Sequence, residues 1–364
     1  MSSTIPERHL IPPFLVFFII SSMQIGVGVL GFPRYVAEDV TYEAWIAVVL
    51  SGICMSVTIW LTFSILKQGN GDIISIHREI FGKWIGNFLS FLLLVYFFAL
   101  GLVVARTYIE VIQLWVFSQL PTWMMALNLC LLVLFLVTKG FRAVVGFCFF
   151  GTLITLVSLL SFLAPLEFAH YRNLQPFFDH GAMDYLRSIK TMTLSFLGVK
   201  LAFIYYPFIK KPEAGLKWAL AGNGLSILIY TYIAVITTLF YSQGQLQSTI
   251  WPTITIWQII ELPFVERFES TGVALWMLVI LPNVGLAFWA ASRGMRLLFS
   301  WDQRKTLLGL LGLLLLLSSL FQTRQAIDTL NTVVSETGFY YVYVYIPLLW
   351  IAQKIVTGTR RKKS

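Results

Sequence analysis

Three glycines and a proline, Gly26, Gly28, Gly31 and Pro33, fall within the run SSMQIGVGVLGFP. Each glycine weakens a helix by about 1 kcal/mol relative to alanine, and proline removes a backbone donor. In an apolar setting such a stretch persists only where its freed amides meet protein, water or a ligand. An unwound turn presents N–H groups at the start of a half-helix, which suit a carboxylate. Its freed carbonyls suit an ammonium or a small cation. The residues at this break are Ile25, Gly26, Val27, Gly28 and Gly31. Small residues also let helices pack closely, and this run alone does not choose between the two readings.

A second interrupted run, SFLGVKLAFIYYPF, contains Phe196, Leu197, Gly198 and Lys200 and ends near Pro207. A lysine at mid-helix in lipid costs about 3 kcal/mol, so it must face the protein interior. There it binds a substrate carboxylate, takes the place of a coupling cation, or pairs structurally with a carboxylate or a helix C-terminus. Arg106 and Glu110 lie one helical turn apart. They form a local ion pair that lowers the cost of burial, or serve in gating or proton movement. Tyr96, Leu100 and Val103 share one face at i, i+4 and i+7, as a cavity wall or a packing stripe. Pro282-Asn283 interrupts another apolar run, with Ala287 one turn on. Asn283 bonds a ligand there or caps the carbonyl that Pro282 frees.

No catalytic constellation accompanies these features. His9, His77, His170 and His180 fall in loops or at segment ends, and no HExxH, GxSxG or P-loop occurs. Cys54, Cys130 and Cys148 each sit in an apolar run without a CxxC partner. They read as free thiols, and neither a metal nor a cofactor is expected.

The elements that must position these groups are membrane helices. Hydrophobic residues make up 58% of the 364 and charged residues only 12%. That is too few charges for a water-facing surface, so lipid is the main solvent. The chain enters its first apolar segment at Ile11 after a short polar stretch, and a cleaved signal peptide is not expected. Ten candidate spans follow, at 12–33, 43–66, 85–115, 122–138, 143–164, 188–209, 217–241, 270–298, 306–322 and 337–356.

With the N-terminus inside, eighteen cations fall on the inner side and six on the outer, leaving Arg106 and Lys200 within spans. Both termini are therefore expected in the cytoplasm. The net charge of +9 is mostly this bias, not a nucleic-acid surface. Two outer loops, 165–187 and 242–269, are punctuated by Pro165, Pro176, Pro252 and Pro263. Each is long enough for a short helix lying on the bilayer. No inner loop holds a separate domain, so residues 1–364 read as one domain. Interrupted spans in the first and sixth positions of ten are the mark of inverted five-helix repeats around a central ligand site, here about 12–164 and 188–356.

The glycine run at Gly26–Pro33, the broken sixth segment and the ten-span plan resemble the amino acid–polyamine–organocation superfamily. Within it, WPTITIWQIIELPFVERFES (251–270) and ALWMLVILPN resemble the spore germination permeases, the B subunits of GerA-type germinant receptors. The resemblance covers nearly the whole chain. PFVERFE (263–269) is its more specific part, while the glycine motif is shared across the superfamily.

It implies a LeuT-like fold and a multi-pass protein of the inner membrane of the spore. The ligand would lie between the breaks of segments 1 and 6, walled by segments 3 and 8. That carries over to Gly26, Gly28 and Gly31, to Tyr96, Leu100 and Val103, to Leu197, Gly198 and Lys200, and to Asn283 and Ala287. It also implies a small germinant, an amino acid, and A and C partner subunits. Lys200 departs from the pattern, since members often carry an acidic residue there. A fixed ammonium would then stand in for a coupling ion, which fits a sensor. A coupled H⁺ or Na⁺ transporter is the competing expectation, and a scaffold with a vestigial cavity a third.

Overall fold

A computed structural model describes residues 5–69, 71–175, 177–260 and 266–361. Pro176, Pro263, the 261–265 part of the outer-loop stretch, and Lys362 and Lys363 lie outside the described residues. Every described element is helical, apart from one isolated bridge between Ile11 and Ile209.

The first segment is split into α1 (Leu15–Gln24) and α2 (Gly28–Val40). A sharp turn at Thr41 (φ +46°) leads to α3 (Ala44–Gln68). Next comes α4 (Ile73–Trp115), bent where Gly82 adopts φ +78°, so that its first turns form a short arm before the span. α5 (Thr122–Thr138) and α6 (Phe141–Ser158) follow, the latter continuing as a 3₁₀ stretch over Leu159–Phe168.

The sixth segment is α7 (Ala182–Phe196), then a break at Leu197-Gly198, then short turns through α8 (Ala202–Tyr205) to Phe208. α9 (Pro212–Phe240) precedes two short helices, α10 (Gln243–Ser248) and α11 (Pro252–Trp257). The chain closes with α12 (Phe268–Phe299), α13 (Gln303–Leu320), α14 (Arg324–Tyr340), a π-helical turn over Tyr341–Tyr345, and α15 (Ile346–Arg361).

Among the described residues, seven helical runs are long and apolar enough to cross a membrane, while Leu15–Gln24 and Thr122–Thr138 are apolar but shorter. The breaks account for part of the difference from ten expected spans, because each divides a segment into pieces too short to qualify alone. The last segment is longer than expected. α14 starts at Arg324 and not near residue 337, because polar residues along one face lowered the apparent hydropathy of its first half.

One continuous buried core draws on both halves of the chain. α12 lies along α4 and α6, α3 and α1 along α9, and α14 against α7 and α4. The broken segments therefore run through the middle, with α4, α12 and α14 around them. The outer loops do contain short helices, but α11 is buried against α2 and α12 and does not lie on the bilayer. At the opposite end the two broken segments are laced together. Ile11 N–H donates to Phe208 O (2.8 Å), Lys210 N–H donates to Ile11 O (2.9 Å), and Lys210 Nζ meets Glu7 (2.8 Å).

Candidate ligand site

The two breaks interlock side by side. Gly198 holds φ +126°, and a Cβ there would stand 2.5 Å from Met23 Cβ at the end of α1. Gly28, the first residue of α2, is pressed reciprocally on Ser195, whose Oγ would lie 3.0 Å from an added Cβ. Glycine is needed at both places for close approach, and at Gly198 for backbone conformation as well.

Proteins rarely leave buried carbonyls unpaired, and the first break satisfies its own with side chains from other helices. Tyr230 Oη on α9 donates to Gln24 O (2.7 Å), Asn283 Nδ2 on α12 to Ile25 O (3.2 Å), and Trp276 Nε1 to Gly26 O (3.3 Å). Pro33 has no N–H to offer Val29 O four residues back, and Thr253 Oγ1 on α11 donates to it instead (2.9 Å). Asn283 therefore serves the break in segment 1. Its second bond goes to Val279 O (2.9 Å), the carbonyl four residues back on its own helix. The carbonyls expected to receive an ammonium or cation already have protein donors. The N–H groups at the start of α2 are a different case: Leu30 N–H turns back to Val27 O (3.0 Å), but those of Gly28 and Val29 precede the first helical acceptor, and no side chain caps the helix at Val27.

A cavity of about 540 Å³ opens beside this turn. Of the expected residues, Gly26, Val27, Gly28, Gly31, Leu100, Val103, Leu197 and Asn283 line it. Ile25, Tyr96, Phe196, Gly198, Lys200 and Ala287 are buried in the layer behind that lining. Lys200 Nζ lies 3.7 Å from the Tyr96 ring centroid and 5.1 Å from that of Tyr341, and reaches Gly338 O at 3.5 Å. Aromatic faces and one carbonyl offset its burial.

Arg106 and Glu110 sit near one another but bond elsewhere. Arg106 Nε donates to Phe321 O (2.6 Å) at the end of α13, where the last helical carbonyls lack partners. Glu110 pairs with Arg324 (2.9 Å). Arg324 also reaches Asp328 (2.9 Å) and Tyr35 Oη (3.1 Å), joining α2, α4 and α14 at the rim. Across the same mouth Lys190 on α7 pairs with Glu336 on α14 (2.7 Å). Among the described residues no group of three His, Cys, Asp or Glu is arranged to hold a metal ion.

The geometry is that of a pocket between two broken helices. The family model described as "Spore germination protein" matches residues 10–327. The chain belongs to that family. Among the relatives of this spore germination protein, GerQB of Bacillus cereus is 40% identical over 98% of this chain and 99% of its own length. YndE of Bacillus subtilis is 28% identical over 91% of this chain and 92% of its own.

In solved structures the fold is similar to that of MhsT in complex with L-phenylalanine, with a TM-score of 0.61 at 14% identity, covering 93% of this chain and 88% of that one. It is also similar to a manganese transporter of Eremococcus coleocola, with a TM-score of 0.55 at 10% identity, covering 93% and 78%. The chain therefore has an all-helical, LeuT-type fold.

The site of this spore germination protein includes residues the sequence did not single out. Asp328, Asn331, Thr332, Ser335 and Glu336 line the cavity from α14. Their spacing of three, one, three and one is a helical stripe, a signal present in the sequence but hidden by its polarity. Trp251 and Gln24 also line it. Trp251 comes from the 251–270 stretch and packs on Gly31, where an added Cβ would stand 3.2 Å from its ring. Nothing in its spacing marks it as a wall residue.

Proposed function

We propose that this chain is the membrane-embedded B subunit of a spore germinant receptor. It binds a small nutrient, an amino acid, between the breaks of segments 1 and 6, and passes the signal to A and C partner subunits. The observation that carries the reading is the asymmetry of the first break: its carbonyls are satisfied by Tyr230, Asn283 and Trp276, while the start of α2 is uncapped beside a cavity. Free N–H groups at a helix start favour an anionic group such as an α-carboxylate. L-Phenylalanine in MhsT, which has this fold, supports the choice of an amino acid.

The ligand must favour one conformation, since equal affinity for two would shift nothing. With both termini in the cytoplasm of the spore's inner membrane, the cavity faces the outer side. Tyr35, Lys190, Arg324 and Glu336 stand at its mouth. The laced inner ends at Ile11–Phe208 and Glu7–Lys210 close the opposite side.

The competing reading is an H⁺- or Na⁺-coupled amino acid transporter. The shared transporter fold favours it, and the occupied carbonyls of the first break count against a cation there. Ligand-dependent thermal stabilisation of the purified chain tests the site: saturation at 100 times Kd raises stability by about 2.7 kcal/mol. Reconstitution into vesicles separates the two readings. The receptor reading expects binding without concentrative uptake, and uptake driven by an ion gradient would overturn it.

A further inference from the structure

We infer that Gln24 is the residue that selects for a hydrogen-bond donor on the ligand, receiving the ammonium of an amino acid at Oε1. The inference rests on the amino acid reading of the cavity. Gln24 closes α1, lines the cavity and is 1% exposed. Its orientation follows from a chain of bonds that starts at a carbonyl. Gly52 O can only accept, so the Asn223 atom 2.9 Å from it must be the amide nitrogen, which also meets Ser56 Oγ at 2.9 Å. That turns Asn223 Oδ1 toward Gln24. The Gln24 atom 2.8 Å away is therefore Nε2, which donates to it. Oε1 is left as the other end of the amide, and among the described residues no donor reaches it.

A buried acceptor without a partner costs free energy that a ligand can recover. The backbone at the same place offers less. Gln24 O already receives Tyr230 and Ile25 O receives Asn283, while the start of α2 offers donors. A ligand that presents an anionic group to α2 and a donor one bond further on matches both ends. An α-amino acid carries that pair on one carbon. The arrangement places recognition of the amine on a side chain locked by Asn223, Gly52 and Ser56.

The test is made on the purified full chain. Thermal shift is measured with L-amino acids in one panel and with nucleosides and sugars in a second. For any amino acid that binds, its des-amino carboxylic acid is compared with it in the native chain, Gln24→Met and Gln24→Glu. Gln24→Met keeps the length and removes the acceptor together with the Nε2 donor to Asn223. It is expected to weaken the amino acid by about ten- to a hundredfold and the des-amino acid little, since a hydrogen bond to a charged donor has that weight.

Gln24→Glu keeps an acceptor and adds charge, while the oxygen that replaces Nε2 faces Asn223 Oδ1, so its unliganded melting temperature is measured alongside. It is expected to hold the amino acid at least as tightly and to sharpen the discrimination, and it serves alone if Gln24→Met does not fold. An amino acid that binds with unchanged discrimination in the folded variants overturns the role of Gln24 and leaves the amino acid reading standing. Binding confined to the second panel overturns the amino acid reading; Gln24→Met then decides the selector role with that compound, an unchanged Kd refuting it. No binding in either panel overturns both.

Discussion

At the scale of single residues, the first break depends on donors that reach it from other helices. Asn283 gives one amide group to two carbonyls, Ile25 O and Val279 O. Asn283→Ala leaves Ile25 O buried without that donor, and should lower stability by about 1–3 kcal/mol, read as a fall in the melting temperature of the unliganded chain. Gly198→Ala is expected to be more damaging, because it meets Met23 at 2.5 Å and strains φ +126° together. The check is loss of folded protein on size-exclusion chromatography.

Lys200 is a different case. Its ammonium sits between Tyr96 and Tyr341, behind the cavity lining. Because that ammonium does not line the cavity, Lys200→Met is expected to keep ligand Kd within about threefold. A larger change in titration calorimetry would give the ammonium a direct part in binding or coupling.

At the scale of elements, α7 and α14 face each other across the mouth, joined there by Lys190 and Glu336. Lys190 and Glu336 are about half exposed, and an exposed pair adds only about 0.2–1 kcal/mol. The pair is thus suited to an opening and closing contact more than to holding the fold. Lys190→Glu should speed ligand dissociation by about two- to fivefold, and the double exchange Lys190→Glu with Glu336→Lys should restore it in stopped-flow measurements.

The N-terminal end of α7 is anchored more firmly. Glu43 is 3% exposed and accepts from Asp179 N–H (2.8 Å), His180 Nδ1 (2.9 Å) and Tyr185 Oη (2.5 Å). Glu43→Ala strands three donors. It should cost about 2–3 kcal/mol and weaken binding as well, since α7 carries Leu197's side of the cavity. Thermal unfolding with and without ligand separates the two effects.

At the scale of the whole molecule, one end is laced together and the cavity opens toward the other, which is the outer side in the proposed orientation. The bonds that lace Ile11 to Phe208 and Lys210 would have to part for ligand to cross. A receptor needs no such step. Cysteines placed at 173 in the outer loop and at 358 near the C-terminus should label from opposite sides with a membrane-impermeant thiol reagent. The resident Cys130 and Cys148 are buried and Cys54 is partly so. Labelling of both from one side would overturn the orientation.

The sequence alone determined the solvent, the helical class and the place of both breaks. These are local properties: a shortage of charge demands lipid, and Gly26–Pro33 and Gly198 disrupt a helix wherever they stand. The same local signals were misleading where polarity and apolar length conflicted. α14 carries a polar stripe because it faces a cavity, and hydropathy averages over all faces, so its first half read as loop.

Only the tertiary structure decided which donors meet which carbonyls. Tyr230, Trp276 and Asn283 lie some 200 to 260 residues from the carbonyls they satisfy. Spacing along the chain cannot bring them together, nor show that Gln24 Oε1 is the acceptor left over. Pairing over such separations is fixed by how helices cross, which depends on the packing of all of them at once.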